Sequence, residues 1–147
     1  MNIVILCKAN YCRSPVCEKI LKSKLENSFT ISSAGIIDFI RPTMHINSFN
    51  FLKSNGYKDL FHNPKKITSS ILKEADIIFC LDHEVAEYIR KNFYRFFNKV
   101  KMYNFLDVSI STIDPISLKD NDYNQIMLNL EKCSNLIIDW LNDRRSS

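Results

Sequence analysis

Glycine is almost missing from this chain, with Gly35 and Gly56 the two in 147 residues, and proline is held to four. With no internal repeat and no Gly/Ser linker either, collagen-like, low-complexity and linker-joined organisations are excluded. Long apolar runs are also missing. The best, Ala75 to Leu81, falls far short of the roughly 20 residues that cross a bilayer. Met1 to Cys7 has no basic leading region and Lys8 cuts its apolar stretch short, so neither a secretory leader nor membrane insertion is expected. Charge of one sign is not concentrated anywhere: 20 Lys and Arg against 16 Asp and Glu leave +4. That points weakly to anionic ligands and gives no reason to infer a nucleic-acid partner. Short-spaced Cys/His couples of the zinc-binding kind are lacking, so no metal is expected. Five cysteines (Cys7, Cys12, Cys17, Cys80 and Cys133) form an odd, scattered set that suits a reducing cytoplasm better than a disulfide framework.

What is present describes a globular protein. With 46% hydrophobic and 24% charged residues the chain can bury one core and is too short for two, so a single domain over 1–147 is expected. Asn2 to Leu6 is a continuous apolar run, and Ser14-Pro15 followed by Val16, Ile20, Leu21 and Leu25 opens a helix. Phe29 to Ile36 reads as a second strand. Met44, Ile46, Phe49, Phe51 and Leu52 give a helical pattern that Asn55-Gly56 closes. The spacing then predicts a short helix over Ile67 to Lys73, a buried strand over Asp76 to Leu81, a helix over His83 to Phe93 and a strand over Val100 to Phe105. A polar loop with Asp114-Pro115 precedes a last helix, Tyr123 to Leu141. Strands that are apolar throughout and alternate with helices predict a doubly wound α/β domain, with a central four-stranded parallel sheet and helices on both faces. Such sheets bind ligands at the carboxyl ends of their strands.

The chemistry is concentrated where the first strand meets the first helix, in Cys7-Lys8-Ala9-Asn10-Tyr11-Cys12-Arg13-Ser14-Pro15. A loop at that junction can turn backbone N–H groups inward, and the following helix adds its unpaired donors and partial positive charge. Arg13 supplies a planar fork for two phosphate oxygens. The same positive field favours the thiolate form of Cys7. Ser14 can donate its hydroxyl to that sulfur, Pro15 suits a first helical turn, and Asn10 tolerates the left-handed backbone that a tight anion loop requires. Residues 8–14 are therefore the expected phosphate-binding loop. In-line attack by a thiolate on phosphorus puts charge on the departing oxygen, which calls for a distant carboxylic acid.

With these residues in view, the chain resembles the low-molecular-weight protein tyrosine phosphatases, whose loop runs Cys-x-Gly-Asn-x-Cys-Arg-Ser-Pro near the N-terminus. The likeness extends through Ser33-Ala34-Gly35, the Asn55-Gly56 turn, His62, the strand ending at Asp82 and Asp114-Pro115. It implies a phosphatase acting on phosphotyrosine through a cysteinyl-phosphate, with Cys7 as nucleophile, Arg13 as phosphate clamp and Asp114 as general acid, and with no cofactor. It further implies that Asn10 and Ser14 hold the loop, that His62 is hydrogen-bonded to Asn10, and that Cys12 traps Cys7 as a reversible disulfide under oxidation. The implied partners are phosphotyrosyl proteins, among them a bacterial tyrosine kinase governing surface-polysaccharide export, and inorganic phosphate or other oxyanions.

Three positions depart from the family pattern. Ala9 replaces a glycine, Tyr11 stands where a small branched apolar residue is usual, and Ile116 takes the place of an aromatic that flanks the substrate ring. Tyr11, Phe39 and Ile116 are thus the expected substrate walls. Three other functions stay open: a protein arginine phosphatase, an arsenate reductase on the same fold, and a catalytically silent phosphoprotein-binding module. The reductase needs a relay of further cysteines, and only Cys80 lies mid-chain. His45 and His83 are read as ordinary polar helix residues. Lys8, Arg41, Lys65 and Lys66 are read as solvated loop charges.

Overall fold

A computed structural model describes residues 1–146. Its strands are short: β1 (Asn2–Cys7), β2 (Thr30–Gly35), β3 (Ile77–Cys80) and β4 (Val100–Met102). All pair in parallel, in the order β2-β1-β3-β4. Parallel neighbours need crossover connections, which helices provide here. The helices are α1 (Ser14–Lys24), α2 (Ile46–Ser54), α3 (Ser69–Glu74), α4 (His83–Asn92) and α5 (Asp120–Ser146).

Because side chains alternate across a strand, β1 feeds two cores. Ile3, Ile5 and Cys7 join Val16, Ile20, Phe51, Leu130 and Ile137 beneath α1, α2 and α5. Val4 and Leu6 face Leu72, Val85 and Ile89 beneath α3 and α4. The sheet is therefore covered on both faces, as the apolar strands predict. From β1 the chain winds outward to β2 and then returns to the other side of β1 for β3. This reversal places the switch point, where doubly wound sheets open a crevice, at the carboxyl end of β1.

Several elements differ from the sequence expectation. Ile67 does not begin a helix, because its N–H pairs with the Gly35 carbonyl (2.8 Å) and its neighbour Lys66 bridges to the end of β2. The helix starts two residues on, where the Thr68 side chain accepts from the Ile71 N–H. The fourth strand ends at Met102 because residues beyond it enter a turn, with Phe105 N–H on the Met102 carbonyl. Tyr94–Lys99, unassigned by periodicity, forms a 3₁₀ helix. The last helix begins earlier and runs longer, as Asp120 and Asp122 complement the positive end of its dipole.

Candidate active site

The turn from β1 into α1 is built by holding its carbonyls outward. Cys7 and Lys8 carbonyls accept from the Ile36 N–H, Tyr11 from the His45 N–H at 3.0 Å, and Arg13 from the Cys17 N–H. The Cys12 carbonyl accepts from the Ser48 hydroxyl (2.7 Å) and Asn10 from His62 Nε2 (2.8 Å). A trans peptide points its N–H opposite its C=O. Tying back the carbonyls of residues 7, 8, 10, 11 and 12 therefore turns the amides of Lys8, Ala9, Tyr11, Cys12 and Arg13 toward the concave side. Asn10 supplies the left-handed residue this curvature needs, at φ 55°, whereas Ala9 keeps negative φ and so tolerates its methyl group.

A buried polar network braces the loop from behind. Asn10 Nδ2 donates to Ser14 Oγ and to Ser33 Oγ, both at 2.9 Å, and Ser33 Oγ donates to Glu18 Oε1 at 2.7 Å. Ser14 Oγ lies 2.9 Å from Cys7 Sγ. Ser14 Oγ accepts from Asn10 and still has its own proton to offer the sulfur. The Asn10 side-chain oxygen takes the Lys65 N–H (3.0 Å), so Lys65 serves the loop through its backbone and not as a cleft charge. The Asn10 carbonyl is acceptor-only, which fixes the proton of His62 on Nε2. Burial lowers the pKa of His62, partly opposed by that hydrogen bond and by Glu18.

Arg13 is 1% exposed, and one side of its guanidinium is anchored in the protein. Its guanidinium donates to Asp82 Oδ2 at 2.8 Å and to the Thr112 carbonyl at 2.9 Å, and it lies 3.8 Å from Asp114 Oδ2. Burial opposes its charge, but Cys7, Asp82 and Asp114 outweigh that and raise its pKa. Asp114 hangs over the opening, with Oδ1 accepting from the Ile116 N–H (3.1 Å) across Pro115. Between these groups lies a cavity of about 180 Å³ lined by Cys7, Arg13, Asp114 and loop residues, with walls from Tyr11, Ile37, Phe39 and Ile116. Cys12 also lines it, its pKa pushed up to about 12 by burial. Cys17, Cys80 and Cys133 sit in the core instead.

The structure thus brings together Cys7 to Ser14, Asp114, Phe39 and Ile116, with His62 one shell behind. Sequence reasoning did not reach Thr112 or Glu18, and it gave no role to Ser33 or Asp82, which carry the family resemblance. Asp82 had a signal, since it directly follows a strand whose carboxyl end faces the crevice. Thr112, which contributes only a carbonyl, had none. One expectation is corrected: His45 is not an ordinary helix residue. It caps α2 by accepting the Asn47 N–H on Nδ1 (3.0 Å), stacks on Tyr123 and meets the edge of Tyr11, because the loop delivers Tyr11 onto the start of that helix. Among the described residues, no group of three or more His, Cys, Asp or Glu is arranged to hold a metal ion, and no helix is long and apolar enough to cross a membrane.

A doubly wound sheet that delivers a thiol, a guanidinium and an inward-facing amide loop to the end of its first strand defines an oxyanion-handling α/β protein. Within that class, the family described as low molecular weight phosphotyrosine protein phosphatase matches residues 2–146, and the chain belongs to it. It is 31% identical to the low molecular weight protein-tyrosine-phosphatase Ptp of Acinetobacter johnsonii over 90 residues, covering 61% of this chain and 63% of that protein. It is 30% identical to the protein-arginine-phosphatase of Bacillus subtilis over 107 residues, 68% of each. The first match therefore spans less than two thirds of that relative's length. The tyrosine phosphatase Wzb from Escherichia coli K30, solved with sulphate, superposes with a TM-score of 0.88 at 24% identity over 95% of this chain and 97% of that one. The YwlE arginine phosphatase from Geobacillus stearothermophilus gives 0.89 at 18% identity, over 98% and 94%. At these identities the structural likenesses establish the shared fold.

Proposed function

We propose that this protein hydrolyses aryl phosphate monoesters, phosphotyrosine in proteins above all, through a cysteinyl-phosphate intermediate. The carrying observation is that Cys7, Arg13 and Asp114 face one small cavity, with the Ser14 hydroxyl on the sulfur. The Cys7 thiolate attacks phosphorus in line, forming an S–P bond as the P–O bond to the leaving group breaks. Asp114 protonates the departing oxygen. Water then attacks phosphorus, Asp114 takes its proton, and the S–P bond breaks to release phosphate and the thiolate. Arg13 and the loop amides stabilise the equatorial oxygens in both steps, and Asp82 fixes the plane of the guanidinium. Lys8, Ala9, Asn10, Tyr11, Cys12, Arg13 and Ser14 form the phosphate loop. Cys12 is the residue proposed to capture oxidised Cys7 as a disulfide. The chain works as one phosphatase domain in the cytoplasm, and its proposed partner is a tyrosine kinase governing surface-polysaccharide export.

Release of p-nitrophenol from its phosphate in the presence of a chelator tests the chemistry. Turnover is expected, and Cys7→Ser abolishes it. No release, or release undiminished in Cys7→Ser, overturns the proposal. The 30% identity to a protein-arginine-phosphatase over two thirds of the chain favours one second substrate, phosphoarginine. Tyr11, Phe39, Ile37 and Ile116 make an apolar passage that suits an aromatic ring better than a guanidinium, so phosphotyrosyl peptides are expected to outcompete phosphoarginyl ones.

A further inference from the structure

The mouth of the cavity carries bulky apolar side chains in water on both of its sides. Ile37 and Ile116 line it while 37% and 50% exposed. Ile40 follows the wall residue Phe39 in the chain and Ile113 precedes Asp114, and they are 92% and 55% exposed. Singly, exposed isoleucines need no explanation, but four on the two loop segments that supply the cavity's walls mark a binding surface. Nor is Ile40 a loose tip. The Arg41 guanidinium stacks over the Phe39 ring at 4.1 Å and donates to the Ile40 carbonyl at 2.9 Å, so this turn is braced with its isoleucine outward.

We propose that this rim docks the substrate chain itself, and that it selects phosphoprotein segments with bulky apolar residues beside the phosphorylated one. The proposal rests on the phosphatase function above and names its substrate class. Ile37 and Ile116 line the cavity itself, so a side chain whose phosphate reaches Cys7 passes them. Its own backbone is thereby laid across the rim, where its neighbours meet Ile40 and Ile113. Burying those neighbours removes apolar surface from water on both partners, which favours apolar flanks over polar ones.

The test uses two phosphotyrosyl peptides of equal length and net charge, one with leucine and isoleucine flanking the phosphotyrosine and one with serine there, and p-nitrophenyl phosphate as a flank-free substrate. The apolar peptide is expected to have a kcat/KM about 10-fold higher, carried by KM. In Ile40→Ser and Ile113→Ser, separately and combined, that ratio falls toward one while p-nitrophenyl phosphate turnover is unchanged. Equal kcat/KM for the two peptides, or a ratio that survives the double variant, overturns the docking surface alone. So does co-sedimentation with phosphatidylglycerol vesicles that the variants lose when no peptide ratio exists, since the rim then serves a membrane. Absence of p-nitrophenol release from the parent chain overturns the phosphatase function and this surface with it.

Discussion

The floor and the mouth of the site are built from opposite materials. The floor is polar and sealed: Asn10, Arg13, Ser14 and Ser33 are at most 1% exposed, and among the described residues no buried side-chain nitrogen or oxygen lacks a partner. The mouth is apolar and open, with Tyr11 leaning on Phe39 at 5.0 Å and isoleucines outside them in water. Hydrogen-bond networks in a low-dielectric interior hold one geometry, because a member left unpaired is costly. Contacts between exposed apolar groups are non-directional and tolerate replacement. In the proposed function Cys7 and Arg13 work from the floor, where atoms are fixed, while substrate choice falls to the mouth, whose walls include Tyr11 and Ile116.

The largest test of that division is a single methyl group. A Cβ on Gly35 would stand 2.8 Å from Ala9 C, Asn10 N and Lys8 O, all backbone atoms of the loop. No side-chain rotation relieves such a contact, so the loop itself must move. Gly35→Ala is expected to lower kcat by about 100-fold, the scale of an ångström misplacement. The control is Gly56→Ala, whose Cβ meets nothing within 4 Å although φ is +82°. It costs about 1 kcal/mol of stability through backbone strain and leaves kcat intact. Chemical denaturation and turnover measured on both variants check this, and a Gly35→Ala enzyme of near-normal kcat breaks the comparison.

A smaller effect is expected from thinning the network. Ser33→Ala removes the acceptor for one Asn10 N–H and the donor to Glu18, leaving both buried. Unfolding by urea should show a loss of about 1–3 kcal/mol. The kcat falls while KM for p-nitrophenyl phosphate stays nearly constant, because the mouth is untouched. A raised KM at constant kcat would place Ser33 with the mouth and erase the distinction.

How much of this was legible before the structure follows the same line. The four strands, their parallel sense and the loop at Cys7 to Pro15 were readable because each rests on a pattern in the letters: an apolar run, an alternation of strands with helices, a spacing. The helical start proposed at Ile67 failed because a long-range pairing with Gly35 overrides local preference there. The carbonyl of Thr112 and the stacking of His45 on Tyr123 left no trace in their letters, being set by where distant elements meet. Asp82 lay between these cases, its residue type and strand-end position visible but its pairing to Arg13 dependent on the sheet order.

The finest distinction rests on two histidines, one for each region. His62 bonds the Asn10 carbonyl in the floor and His45 meets Tyr11 in the mouth, and burial lowers both below the ordinary 6.5. The unfolded chain therefore binds more protons than the fold in the window between 6.5 and the lowered values. Stability is complete above 6.5 and declines as pH falls through that window. Protonated His62 keeps its Nε2 proton, so its bond to Asn10 persists and the loss is one of desolvation. Protonated His45 instead loses the lone pair on Nδ1 that caps α2, which loosens the support of Tyr11. Denaturation midpoints measured from pH 7.5 to 5.5 should fall, and His62→Gln, which preserves a donor to Asn10, should flatten that slope without moving KM. His45→Asn, which preserves a cap, should flatten the rest and change KM for phosphopeptides. Slopes identical to the parent in both variants would show that neither region is tied to these rings.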